Sequence, residues 1–228
     1  MKGNDRLKPT VFHTRYVHLT KLRDATLRNL RELTTANKSL TLVDFGCGDM
    51  PYRSVIEPMI GKYWGVDLDI NPSADYHIDY DSKTTLPDNF CDIILSNQVL
   101  EHVDSPHSYL SEAYRLLKPG GSMILTTHGY WYYHPTPYDY WRWTSAGLKK
   151  TIEADGFQIT SFHGIMGLAA SGIQLFQDAI LLKLPKFLAP PFAFVMQLFI
   201  RLFDKIHSQQ QRDRDASLYV VIAKKPLD

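Results

Sequence analysis

Asp44, Gly46, Cys47 and Gly48 stand together in the run VDFGCG (43–48), and Asp67 follows Gly48 by nineteen positions. Glycines at alternate positions allow a tight turn and let a ligand lie against bare backbone. A carboxylate at that distance is placed to accept hydrogen bonds from a ribose diol. These residues suit a nucleoside-containing cofactor, with Asp67 and Leu68 on its ribose side. A dinucleotide would need a further glycine three positions beyond Gly48, so that a helix N-terminus meets the pyrophosphate. Pro51 stands there instead. A sulfonium nucleoside has no phosphate and needs only the turn and the carboxylate, so the missing glycine favours it over a nicotinamide dinucleotide.

A second concentration of chemistry lies at 128–144, HGYWYYHPTPYDYWRWT. Imidazole is the side chain suited to moving a proton at neutral pH, which makes His128 the first candidate base, with His134 or Asp139 next. Planar rings stack on sugar faces and attract cations. Tyr130, Tyr138, Trp141 and Arg142 are the candidate acceptor contacts, and for Trp141 and Trp143 plain packing of the loop is the competing reading. Glu101 and His102 read as the polar first turn of a helix, Cys47 also reads as a small filler of the glycine turn, and Lys118-Pro119-Gly120-Gly121 reads as a turn without chemistry. No residue set is assigned to a metal.

These residues need elements to position them. Buried-strand patterns fall at 39–45, 63–66, 76–78, 91–96, 122–127, 157–162 and 218–224, with helical patterns at 18–33, 53–60, 106–117 and 145–155 between them. Strands alternating with helices require a largely parallel sheet covered on both faces, the α/β class. In such a sheet ligands bind outside the carboxyl ends of the strands, and Asp44, Gly46, Cys47, Gly48, Asp67, Asp79 and Asn97 all fall at such ends.

The runs VDFGCG (43–48), GVD (65–67), LPDNFCDIILSNQVLEHV (86–103) and RLLKPGGSMILTT (115–127) resemble, block by block, the class I methyltransferases of the small-molecule type. The resemblance covers about 40–162. It implies a Rossmann-like seven-stranded sheet with an antiparallel last strand, and S-adenosylmethionine as methyl donor. Carried over, Asp44, Gly46 and Gly48 would line the methionine side, Asp67 would take the ribose hydroxyls, Asp79 or Asp81 would approach the adenine amine, and Asn97 with Gln98 would close the site beside the sulfur. Met50 stands where many members of the family have glycine. The run YDYWRWTSAGL (138–148) is similar to loops of bacterial methyltransferases associated with cell-surface glycan assembly, which implies O-methylation of a sugar hydroxyl. A quinone-type ring methyltransferase and a non-catalytic cofactor-binding module are the alternatives.

Lysine plus arginine number 25 against 24 acidic residues, so no net field exists to hold a polyanion, and nucleic acid is excluded as the expected partner. The expected domains are an N-terminal helical segment (1–39), the core (40–163 and 218–228) and a hydrophobic helical insertion (164–217). In the insertion, Ser171, Gln174 and Asp178 form one narrow polar stripe and Gln197, Arg201 and Asp204 another, with apolar residues around them. Each segment is short for a bilayer span, so the insertion is expected either to lie in the plane of a membrane or to form a homodimer or core contact. The polar N-terminus and two unspaced cysteines lead to an expectation of the cytoplasm, with peripheral contact at the inner membrane face.

Overall fold

In the computed structural model, which describes residues 6–227, a helix α1 (Tyr16–Thr34) precedes β1 (Thr41–Phe45), a short helix α2 (Arg53–Ile56) and a 3-10 turn (Glu57–Met59). Then follow β2 (Lys62–Leu68), β3 (Tyr76–Ile78), β4 (Cys91–Asn97), α3 (Pro106–Leu116), β5 (Leu117–His128), α4 (Ser145–Ala154) and β6 (Gln158–Gly167). Two apolar helices, α5 (Leu168–Leu181) and α6 (Ala189–Phe203), a short α7 (Gln209–Arg214) and β7 (Ala216–Lys224) complete the chain. Residues 1–5 of the expected N-terminal segment lie outside the described residues.

The seven strands form one sheet in the order β3-β2-β1-β4-β5-β7-β6, with β7 antiparallel to both its neighbours and the other pairs parallel. The strand order reverses between β1 and β4, and their carboxyl ends therefore part to leave a crevice. Alternation along β1 sends Val43 and Phe45 to one face, among Tyr109, Leu110 and Leu148 of α3 and α4, and Leu42 to the other, against Leu27 and Leu30 of α1. Ser105 caps α3 by accepting from Ser108 N, with Pro106 at the first helical position.

Three expected boundaries move. The glycine-proline run after α3 is not a free turn but an irregularity within β5, across which the pairing with β4 jumps from Leu117 to Ser122. The stretch expected as a helix at 53–60 is one turn of α-helix and one of 3-10 helix. The sixth strand runs on to Gly167, because β7 begins at Ala216 and offers further partners, so the helices of the insertion occupy 168–215 rather than 164–217.

The insertion turns its polar stripes inward, except for Arg201, which is exposed. Gln174, Gln177 and Gln197 are buried, and all three side-chain amides donate to Thr14 O, at 3.2, 2.6 and 2.8 Å. Gln197 Oε1 also accepts from Val17 N in the first turn of α1, at 2.8 Å. Asp204 is buried against Lys21 and accepts from Gly167 N. The apolar faces therefore point outward: Phe176, Ile180, Phe194, Val195, Leu198, Phe199 and Leu202 are all exposed. Among the described residues no helix is long and apolar enough to cross a membrane.

Gln197→Ala removes acceptor and donor together and strands Val17 N in a buried place. It should lower unfolding free energy by about 2–3 kcal/mol in urea titrations, as expected when a buried backbone group loses its partner.

Candidate active site

The glycine turn closes the carboxyl end of β1. Gly46 and Gly48 hold φ values of +83° and +53°, and the amides of Gly46 and Cys47 both donate to Val66 O at the end of β2. A Cβ on Gly46 would stand 2.5 Å from a Val99 methyl, so this glycine is required by packing as well as by φ. Gly48 has no atom within 4 Å of where its Cβ would be, which is the open face a ligand needs. Met50, at the position of the family's glycine, also adopts a left-handed conformation, φ +47°.

Asp67 is held against this turn. Its Oδ2 accepts from Gly48 N and Asn71 Nδ2, each at 2.8 Å, and its Oδ1 accepts from Leu68 N at 2.8 Å. One lone pair of Oδ1 stays available to a ligand. Gly46, Gly48, Asp67, Leu68, Asp79, Asp81, Asn97 and Gln98 all line one cleft of about 1080 Å³. Bare backbone at Gly48, a carboxylate beside it and the apolar side chains of Leu68, Ile78 and Val99 fit the amino-acid, ribose and base parts of a sulfonium nucleoside.

Two expected cofactor residues do not line the cleft. Asp44 lies beneath the turn on the α1 face of the sheet, where it accepts a hydrogen bond from Tyr63 Oη. Cys47 is buried, with its Sγ 3.0 Å from where a Cβ on Gly65 would sit, and burial pushes its thiol up. It fills space and has no nucleophilic character.

The aromatic loop covers the other end of the cleft. Glu101 O accepts from Tyr140 N and Trp141 N, and His128 O accepts from Trp143 N, so the loop is sewn to the ends of β4 and β5. Arg142 makes a two-bonded pair with Asp139, 2.6 Å on each side, and also donates to Trp131 O and Tyr132 O. Tyr138 lines the cleft, as do His128, His134, Trp131 and Tyr140. The remaining expected residues do other work. Asp139 is enclosed by Arg142 and by His134 N, which removes it from the candidate bases. Arg142 is spent on that pair and on loop carbonyls. Trp141 donates to Val103 O and stacks on Trp143, and Tyr130 points away to Asp215.

Sequence reasoning missed α1 as a wall of the site. His18 and Leu19 line the cleft, and the His18 ring packs 4.5 Å from Trp131 and 5.5 Å from His128. Burial drives the pKa of His18 down to about 3 and that of His134 to about 4, and holds His128 well below the usual imidazole range. All three are uncharged at neutral pH. Glu101 and His102 do not open a helix: they sit in the turn before Pro106, with Glu101 fully buried and His102 lining the cleft.

Burial, with Asp67 nearby, raises the Asp44 pKa to about 7 against the opposing hydrogen bond from Tyr63. A carboxyl raised this way stabilises the fold below its unfolded value near 4, and that contribution is lost as pH rises through 7. Asp44→Asn keeps an acceptor for Tyr63 without the charge. Its thermal midpoint should gain on the wild type progressively between pH 4.5 and 7.5, read by circular dichroism without added ligand.

The methyltransferase-domain family model matches residues 13–161. A Mycolicibacterium smegmatis protein named "Probable S-adenosylmethionine-dependent methyltransferase" is 26% identical over 147 residues, 56% of this chain and 57% of that protein. A ubiquinone biosynthesis O-methyltransferase of Cereibacter sphaeroides is 33% identical over 104 residues, 40% of this chain and 42% of its own. The chain thus spans about half the length of these curated relatives. The phosphoethanolamine N-methyltransferase 2 of Haemonchus contortus, solved with S-adenosyl-L-methionine, shares the fold with a TM-score of 0.57 at 17% identity, over 99% of this chain and 60% of that one. A match running from the cleft wall in α1 through the glycine turn to β6 takes in most of the site, and the chain belongs to the methyltransferase-domain family, with S-adenosylmethionine as its cofactor.

Proposed function

We propose that the chain O-methylates a hydroxyl of a sugar or other small acceptor that carries a lipid tail. The observation behind this reading is one wall that serves two surfaces: α1 lines the cleft with His18 and Leu19, and through Val17 it is bonded to α6, whose apolar side is open. When bound, S-adenosylmethionine supplies a methyl group on a positively charged sulfur, transferred by in-line displacement. Gly48 and Asp67 hold the nucleoside, and the rings of Trp131, Tyr138 and Tyr140 exclude water and flank an acceptor's planar or sugar face. The uncharged His128 accepts the hydroxyl proton as the new C–O bond forms. A quinone-type ring hydroxyl is the second reading, favoured by the relatives named for ubiquinone biosynthesis.

Lys183, Lys186, Arg201 and Lys205 are exposed around the apolar faces of α5 and α6, the pattern of helices that lie on an anionic lipid surface. The occupant of those faces in this reading is the lipid surface that presents the acceptor. Methyl-labelled donor incubated with lipid and soluble extracts should label a lipid-extractable product. Phe194→Asp with Phe199→Asp should release the protein from anionic vesicles. Label in the soluble fraction alone, or conversion of a dimer to a monomer without vesicle binding by the wild type, rejects the lipid-linked reading.

His128→Ala should lower turnover about 100-fold and leave donor affinity by calorimetry unchanged. Loss of donor binding instead would assign His128 to the cofactor pocket.

A further inference from the structure

Glu101, His102 and His134 each present one potential ligand atom to the same space, all within 4.8 Å of one another. The three come from a turn after β4 and from the aromatic loop, and the two imidazoles line the cleft. Each is oriented by a partner on its far side. Thr127 Oγ1 donates to Glu101 Oε2 at 2.8 Å, which leaves Oε1, fully buried, with no hydrogen-bond partner among the described residues. His102 Nδ1 is bonded to Tyr138 O, and a carbonyl can only accept, so Nδ1 carries the proton and Nε2 offers a lone pair. His134 Nδ1 lies 3.2 Å from two acceptors, Tyr132 O and Asp139 Oδ2, which favour the same tautomer over the one donor beside it, Arg142 Nη2 at 3.3 Å. Asp139 is in turn fixed by Arg142. A carboxylate behind a histidine whose other nitrogen is free is the outer arrangement that metal-binding imidazoles use.

We propose that Glu101, His102 and His134 bind a divalent transition-metal ion at the acceptor end of the cleft. Two imidazoles and one carboxylate select zinc, cobalt, iron or manganese over magnesium or calcium, and three protein ligands leave positions open. Donors about 2.1 Å from one ion stand roughly 3–4 Å apart, so the cluster closes by about 1 Å on binding. The two histidines are on a turn and a loop, which can make that movement. An open position facing the cleft would take the acceptor's hydroxyl oxygen and lower its pKa, and this last role rests on the O-methylation reading above.

Chelator-treated protein should be titrated with Co²⁺, Zn²⁺ and Mg²⁺ by calorimetry, and with Co²⁺ by visible absorption. One ion per chain is expected, with d–d bands for Co²⁺ and binding of Zn²⁺ and Co²⁺ at least tenfold tighter than Mg²⁺. Glu101→Gln and His134→Ala should each weaken Co²⁺ binding at least tenfold, and Asp139→Asn about 10-fold through His134. Circular dichroism of each variant separates loss of ligand from loss of fold. Absence of saturable Co²⁺ binding by the wild type overturns the site and leaves Glu101 Oε1 to His128 Nε2, 3.5 Å away. Binding that none of the three folded variants weakens overturns it equally. Methylation of a hydroxyl acceptor that proceeds in excess chelator removes the ion's part in the reaction. Metal binding without methylation of any extract leaves the site standing and rejects the O-methylation reading.

Discussion

A helix begins with backbone groups that its own turns cannot satisfy, and at the start of α1 these groups are met by side chains from far along the chain. Val17 N finds Gln197, and the carbonyl of Thr14, in the turn ahead of the helix, takes amides from Gln174, Gln177 and Gln197. Buried polar atoms must be paired, so this knot dictates which side of α5 and α6 faces the body. It also fixes the position of α1, and with α1 the ring of His18 against Trp131 and His128. The acceptor end of the cleft and the outward apolar surface are thus two results of one set of buried amides.

The strands, the glycine turn and Asp67 were legible because each depends on neighbours in sequence: a run of branched residues, two glycines without Cβ atoms, a carboxylate at a strand end. The polar stripes of the insertion were legible too, but not their direction. A narrow polar stripe on an apolar helix ordinarily meets water, and only the knowledge that Thr14 and Val17 lie beneath it reverses that. The aromatic loop misled for a related reason. Asp139, Trp141 and Arg142 have the types of site residues, yet Arg142 and Asp139 satisfy each other and Trp141 is held by Val103 O. Whether a charged side chain serves a ligand or its own loop depends on partners that spacing does not reveal. Glu101 was passed over because a single carboxyl before a histidine reads as surface, and its burial follows from the Thr127 contact across the strand ends.

Five of the ten buried side-chain atoms that lack a partner among the described residues lie at or beside the cleft. His18 Nδ1, Gln98 Oε1, Trp131 Nε1, His128 Nδ1 and Glu101 Oε1 are all buried without a hydrogen-bond partner among the described residues. Each costs about 1–3 kcal/mol relative to a paired group. The fold gives up stability where donors and acceptors face a ligand, and recovers it by close packing at Phe45, Ile94, Leu110 and Leu125 behind them.

The distribution of charge at the acceptor end follows from the same burial. Desolvation leaves His18, His128 and His134 neutral. It also raises the Glu101 pKa, because desolvation of the enclosed carboxylate outweighs the opposing effects of His102, Thr127 and Arg142. The one guanidinium in the loop, Arg142, is already balanced by Asp139. A positive charge brought into this space meets a set of lone pairs, with Arg15, over the rings of Trp131 and Tyr132, as a cation already at the cleft wall. Arg15 is engaged over aromatic faces and Arg142 on Asp139, which leaves the neutral imidazoles and Glu101 as the acceptors at this end.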